Sequence, residues 1–262
     1  MLIKVNGMKM NYELSGKKDR PVLMLSHSLG SSLVMWHPQM ETLEARFAVL
    51  RYDIRGHGRS EVPKGPYTLG LMAEDVIGLL DALRISRVHF VGLSMGGMIG
   101  LCAALNCPDR LQSLVLCDTS SMVSKEGHLN IQERIDTARN KGMEALVDAR
   151  VERWFTPFFI RKNPTELELL RKQFLATPVE GYIKCSQALQ RLNYLHRLSE
   201  INIPTLIMVG EEDPATPVTD SKLLNEGIQN SELVIIPAAR HFSNVEQPEI
   251  FNRTLIDFLE KV

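Results

Sequence analysis

The sequence predicts an α/β fold: a mostly parallel central sheet with helices on both faces and an inserted helical cap. Three observations predict it. Short, continuous apolar runs recur along the chain, as strands buried on both faces require. Segments with apolar residues at helical spacing lie between them, which implies parallel strands joined by right-handed crossovers. The alternation stops over residues 119–200, where helical stretches follow one another and no strand is legible. Residues 1–118 and 201–262 are therefore expected to form the core, with residues 119–200 a cap inserted into it. A chain of 262 residues suffices for one large core.

Residues 2–5 and 8–14 read as strands around Asn6-Gly7, the strongest two-residue hairpin signal. Residues 15–20 form a polar loop. The apolar strand 22–26 ends in His27-Ser28-Leu29-Gly30, a small polar loop where α/β proteins place binding groups. Strand 47–52 runs into Asp53–Ser60, rich in Gly and charge. A stripe at Leu69, Met72, Val76, Leu79, Leu80 and Leu83 predicts a helix, with Glu74, Asp75 and Asp81 outside it.

Residues 88–100 carry the most information. β-Branched and aromatic residues open a strand, which reaches Gly92-Leu93-Ser94-Met95-Gly96 and continues as an apolar helix through Leu105. A G-x-S-x-G pattern alone recurs by chance. Between a strand and a helix it describes a serine raised on a strained turn, where the flanking positions have no room for side chains. The following helix points its N-terminus at Ser94, favouring negative charge there.

Residues 114–118 form the next buried strand. Helices are then expected over 131–140, 142–154, 165–176 and 179–192, separated by Gly142, Asn163-Pro164 and Thr177-Pro178. Strands resume at 205–210 and 233–237. A helix over 218–227 lies between them, and another over 248–262 closes the chain.

A serine needs a base to take its proton and a third group to orient that base. In this fold the order is Ser, acid, His, each beyond a strand's carboxyl end. Asp213 follows strand 205–210 and His241 follows strand 233–237. Asp118, after the preceding strand, is the competing acid. Two oxyanion donors are required, and the backbone N–H groups of Met95 and Leu29 are the candidates. His27 reads as a loop-fixing residue and His57 as structural.

The bulk numbers narrow the function classes. A net charge of −1 leaves no electrostatic footprint for nucleic acid or an anionic membrane. The longest apolar run, 91–105, is shorter than the roughly 20 residues a membrane span needs. The N-terminus lacks the apolar segment of a signal peptide. Cys102, Cys107, Cys117 and Cys185 include no C-x-x-C pair, which argues for reduced thiols and against a metal site. A cytoplasmic protein is expected, with oligomeric state left open.

With these residues in hand, the chain resembles the α/β-hydrolase superfamily over essentially its full length, and within it the 3-oxoadipate enol-lactonases. The stretches that carry the resemblance begin with His27-Ser28-Leu29-Gly30, Leu50 through Gly58 and Gly92 through Gly97. Arg153-Trp154-Phe155-Thr156-Pro157, Asp213 through Pro217 and Ser243-Asn244-Val245-Glu246-Gln247-Pro248 complete them. Arg240 departs from the pattern, standing beside His241 where a small or apolar residue is expected. The resemblance implies a small-molecule substrate, a lactone of a dicarboxylic acid. It implies a Ser94–His241–Asp213 triad acting through an acyl-enzyme, and no metal or organic cofactor. The substrate's free carboxylate then calls for a cation. Arg153 is the candidate, with Arg139 and Lys184 behind it. Trp154, Phe155, Phe159 and Met122 are expected to line the pocket. Two other readings stay open: a carboxylesterase or cofactor-free perhydrolase, and a slow-turnover ligand sensor of the same fold.

Overall fold

The computed structural model describes residues 1–17 and 19–262. Its eight strands are β1 (Leu2–Val5), β2 (Met8–Gly16), β3 (Val22–Ser26), β4 (Ala48–Tyr52), β5 (Val88–Leu93), β6 (Leu111–Cys117), β7 (Thr205–Gly210) and β8 (Ser231–Ile236). They form one sheet in the order β1-β2-β4-β3-β5-β6-β7-β8. β1 and β2 are antiparallel, and β3 through β8 run parallel to one another. Asn6 and Gly7 both have positive φ, at 44° and 79°, as a two-residue hairpin turn of the predicted type demands. The expected loop 15–20 begins later, because β2 continues through Gly16; Lys18 lies outside the described residues.

Eleven α-helices are present among the described residues. The core carries α1 (His37–Glu44), α2 (Leu69–Ala82), α3 (Met95–Asn106), α9 (Val218–Gly227), α10 (Ser243–Glu246) and α11 (Pro248–Leu259). Residues 119–200 carry α4 (Lys125–Lys141), α5 (Glu144–Trp154), α6 (Pro157–Lys162), α7 (Pro164–Leu175) and α8 (Val179–Leu189), with no strand of the sheet among them. The two ends of this segment are joined: Val123 N–H donates to Leu192 O (3.2 Å) and Tyr194 N–H to Ser121 O (2.7 Å). No described helix is long and apolar enough to cross a membrane.

The sequence left α1, α6 and α10 unread. All three are short, and α1 and α6 open with a proline in the first turn, so few residues carry a periodic signal. One assignment reverses. Asp75, expected on the solvent face of α2, is 1% exposed. Its carboxylate accepts from Arg55 Nε (2.5 Å) and Nη2 (2.7 Å), so a buried ion pair replaces solvation.

What matters for function is the sheet's carboxyl edge. Ser26 of β3 pairs with Gly92 of β5, and Leu93 with Cys117 of β6. Gly210 of β7 pairs with Ile236 of β8. The loops after these strands therefore emerge at one rim, where α/β sheets bind ligands.

Candidate active site

Ser94 stands at that rim between β5 and α3, with φ 56° and ψ −115°. That is left-handed backbone, strained for a serine and held by its surroundings. Ser94 N–H donates to Cys117 O (2.9 Å), and the Thr119 hydroxyl donates to Ser94 O (2.8 Å). The flanking glycines are obligatory for space. A Cβ on Gly92 would stand 2.3 Å from the Gly96 carbonyl, and one on Gly96 would stand 2.2 Å from Ser26 O.

His241 Nε2 lies 2.9 Å from Ser94 Oγ, and its Nδ1 lies 2.8 Å from Asp213 Oδ2. All three side chains are buried. Asp213 is held on every side. Its Oδ1 accepts from Ala215 N–H (2.7 Å) and Thr216 N–H (3.3 Å), and its Oδ2 accepts from the Thr216 hydroxyl (2.7 Å). Burial works to raise this carboxyl. The His241 charge and these hydrogen bonds outweigh it and hold Asp213 below the usual carboxylate range.

The competing acid makes different contacts. Asp118 Oδ1 accepts from Gly210 N–H (2.8 Å) and Oδ2 from the Ser243 hydroxyl (2.6 Å), with no bond to His241. Burial, then the Asp213 charge, push its carboxyl well above the ordinary value.

Neither Leu29 N–H nor Met95 N–H donates to another group among the described residues. Met95 opens α3 directly after Ser94. The Leu29 loop is held by two histidines. His57 Nε2 accepts from Gly30 N–H (3.0 Å), and His27 Nε2 accepts from Ile54 N–H (2.9 Å). Each must therefore carry its proton on Nδ1, where His27 donates to Ser28 O and His57 to Arg55 O. Burial pushes His27 down to about 4 and His57 to about 3, so both rings are neutral at ordinary pH.

Ser94 and His241 open into a cavity of about 830 Å³. Met122, Arg153 and Trp154 line it, as expected. Phe155 does not. It is fully buried, stacked on Phe159 (4.9 Å between centroids) and edge-on to Phe242 (5.6 Å). As the C-cap of α5 its extended backbone turns the ring into the core. Phe159 packs behind it and is absent from the lining. Arg139 pairs with Asp136 on an exposed face, and Lys184 pairs with Glu180 and donates to Pro63 O; neither reaches the cavity. Arg240 turns away from the base, its Nη1 donating to Glu152 O (2.5 Å) at the carboxyl end of α5. Arg150, Tyr182 and Thr216 line the cavity and were missed. For Arg150 a signal existed. It shares a helical stripe with Leu146, Val147, Val151 and Trp154, a charge on a core-facing row. Among the described residues no group of three or more His, Cys, Asp or Glu side chains could hold a metal.

A family model described as the α/β hydrolase fold matches residues 21–248. The chain is 37% identical over 246 residues to 3-oxoadipate enol-lactonase 2 of Acinetobacter baylyi, covering 94% of this chain and 91% of that one. The crystal structure of the enol-lactonase from Burkholderia xenovorans LB400 matches with a TM-score of 0.95 and 37% identity, over 99% of this chain and 100% of that one. A thermophilic esterase from Thermogutta terrifontis, solved with malate bound, matches with a TM-score of 0.93 and 29% identity, over 100% and 98%.

Proposed function

The chain belongs to the α/β-hydrolase family, and from that premise we propose that it is a cytoplasmic serine hydrolase that opens 3-oxoadipate enol-lactone to 3-oxoadipate in aromatic-compound catabolism. The observation that carries the chemistry is the unbroken hydrogen-bond chain from Ser94 Oγ through His241 to Asp213. Likeness to enol-lactonases over nearly the whole chain supports the substrate class.

In this reading residues 119–200 are a cap over the rim. Ser94 Oγ attacks the ring carbonyl as His241 Nε2 takes its proton, and Asp213 stabilises the imidazolium and fixes its tautomer. Charge developing on the carbonyl oxygen meets the N–H groups of Leu29 and Met95. The ring C–O bond breaks, His241 returns the proton to the leaving enol oxygen, and the enol becomes the ketone. A water deprotonated by His241 then releases the acyl group from Ser94 as a carboxylate. Met122 and Trp154 enclose the lactone.

The test is a spectrophotometric assay with the enol-lactone generated in situ, set beside p-nitrophenyl acetate. Sustained turnover of the lactone that S94A lacks is the expected result. Turnover of the nitrophenyl ester alone would favour a general esterase, a reading that the likeness to the thermophilic esterase supports. A single burst without turnover would mark a sensor.

A further inference from the structure

We propose that Arg150, assisted by the Tyr182 hydroxyl, seats the free carboxylate of the substrate and so selects anionic lactones over neutral esters. This rests on the hydrolase reading and reassigns the carboxylate from Arg153.

Arg150 lies on the inward row of α5, is 8% exposed, and lines the cavity that Ser94 and His241 open into. No carboxylate lies within 4 Å of its guanidinium, and no hydrogen bond is made by it, among the described residues. Among the described residues its one marked partner is the Trp154 ring, 5.9 Å from Cζ, which steadies the cation but accepts no hydrogen bond in the guanidinium plane. The guanidinium has no protein acceptor among the described residues, and an incoming carboxylate would satisfy two of its five N–H donors in one bidentate contact. Burial, helped by the nearby Arg134 charge, lowers the Arg150 pKa to about 9, which leaves it cationic at neutral pH.

Tyr182 is the second, independent observation. It lines the same cavity, is 1% exposed, and its hydroxyl has no hydrogen-bond partner among the described residues. Its Cε2 lies 3.7 Å from where a Cβ on Gly30 would stand, beside the Leu29 loop. The Tyr182 hydroxyl and the Arg150 guanidinium belong to side chains that line one cavity, and both lack a hydrogen-bond partner among the described residues, a place that a carboxylate would fill.

The other lining arginines are less buried, and each makes one hydrogen bond. Arg153 is half-buried and its Nη2 donates to Pro214 O (2.7 Å), fastening α5 to the Asp213 loop. Arg134 Nε donates to Asn130 O (3.2 Å) on its own helix. Of the three lining carboxylates, Glu126 and Glu133 are exposed, so water serves them, and Asp220 is half-buried.

The readout is the ratio of kcat/KM for the anionic enol-lactone to that for its neutral methyl ester. R150Q should lower this ratio about 100-fold, chiefly through KM, and Y182F about tenfold, by the usual effect of removing a partner from a buried charge. R150K, which keeps the charge but loses the fork, should fall between. A ratio within threefold of wild type in folded R150Q overturns the proposal. A separate arm does not depend on which lactone is turned over, or on the enol-lactone being the substrate. By calorimetry on S94A, monomethyl glutarate should bind at least tenfold tighter than dimethyl glutarate. Y182F in that background should narrow the preference. Equal binding of the two glutarates by S94A overturns the Arg150 assignment even if R150Q fails to fold. Failure to turn over the enol-lactone with the glutarate preference intact overturns only the substrate named above.

Discussion

Asp213→Asn exposes the logic of the triad most directly. Asp213 Oδ1 accepts from two backbone N–H groups, Ala215 and Thr216, which cannot turn round. The amide oxygen of an asparagine must therefore take the Oδ1 position. Its NH2 then falls at the Oδ2 position, 2.8 Å from His241 Nδ1. Two donors cannot face each other, so Nδ1 becomes the acceptor and the ring proton moves to Nε2. There it confronts Ser94 Oγ at 2.9 Å, and the ring can no longer take the serine's proton. A tautomer fault of this kind costs about 10⁴-fold in kcat, equivalent to about 5.4 kcal/mol of barrier. KM should change little, because Asp213 does not line the cavity. The assay is steady-state hydrolysis of the lactone or of p-nitrophenyl acetate. Asp118→Asn is the comparison, because an amide can still accept from Gly210 N–H and donate to the Ser243 oxygen. It should keep kcat within about tenfold. A D213N enzyme with more than a tenth of wild-type kcat, or a larger loss in D118N, refutes the reasoning.

Two further predictions concern stability. Gly96→Ala drives a Cβ into Ser26 O and should cost about 3 kcal/mol or leave no soluble enzyme, whereas Gly70→Ala meets only Thr68 Oγ1 at 3.7 Å and should gain about 0.5 kcal/mol; urea unfolding of both checks the contrast. His27 and His57 stay neutral when folded but charge near 6.5 when unfolded, so the unfolded chain binds the extra protons as pH falls below 6.5. Stability linked to them is present above pH 6.5 and declines toward pH 4, by about 1.4 kcal/mol per pH unit for each ring. Asp220, raised to about 6 by burial, pulls the opposite way, so the measurable quantity is a slope difference. Urea titrations of H57Q and wild type between pH 6 and 4 should differ by about that one-ring slope, and parallel curves refute the neutral-ring assignment.

The sequence carried the core and the meeting of Ser94, His241 and Asp213 because both rest on local signals. Buried parallel strands need unbroken apolar runs, and the serine turn needs glycine at two fixed positions. Asp213 and His241 were legible because strand ends share one rim. What stayed hidden depends on direction rather than identity. Arg153 and Arg150 both line the cavity from α5, and the helical phase puts Arg150 on the buried row while Arg153 stays half-buried and bonds Pro214 O. That phase was readable from Leu146, Val147, Val151 and Trp154, but an arginine among them contradicts the rule that such rows are apolar. Phe155 fails for the reverse reason. It ends the helix, so the helical phase no longer tells where its ring points. Asp75 was placed outside because nothing near it in sequence announces Arg55 as its partner.

Two stretches far apart in sequence, 153–157 and 243–248, turn out to be halves of one junction. Glu246 Oε1 accepts from Thr156 N–H (2.9 Å) and from the Thr156 hydroxyl (2.6 Å), and Oε2 accepts from Arg240 N–H (2.7 Å). Two residues beyond Arg240, Phe242 N–H donates to Trp154 O (3.1 Å), and the Trp154 and Phe242 rings stack at 4.7 Å. His241 sits between Phe242, whose N–H is bonded to Trp154 O, and Arg240, whose side chain reaches Glu152 O and whose N–H is bonded to Glu246. The acid is tied to the same helix through Arg153 and Pro214 O. His241 and Asp213 thus take their positions from α5 as much as from the sheet. Movement of α5 would disturb the Ser94–His241 distance directly.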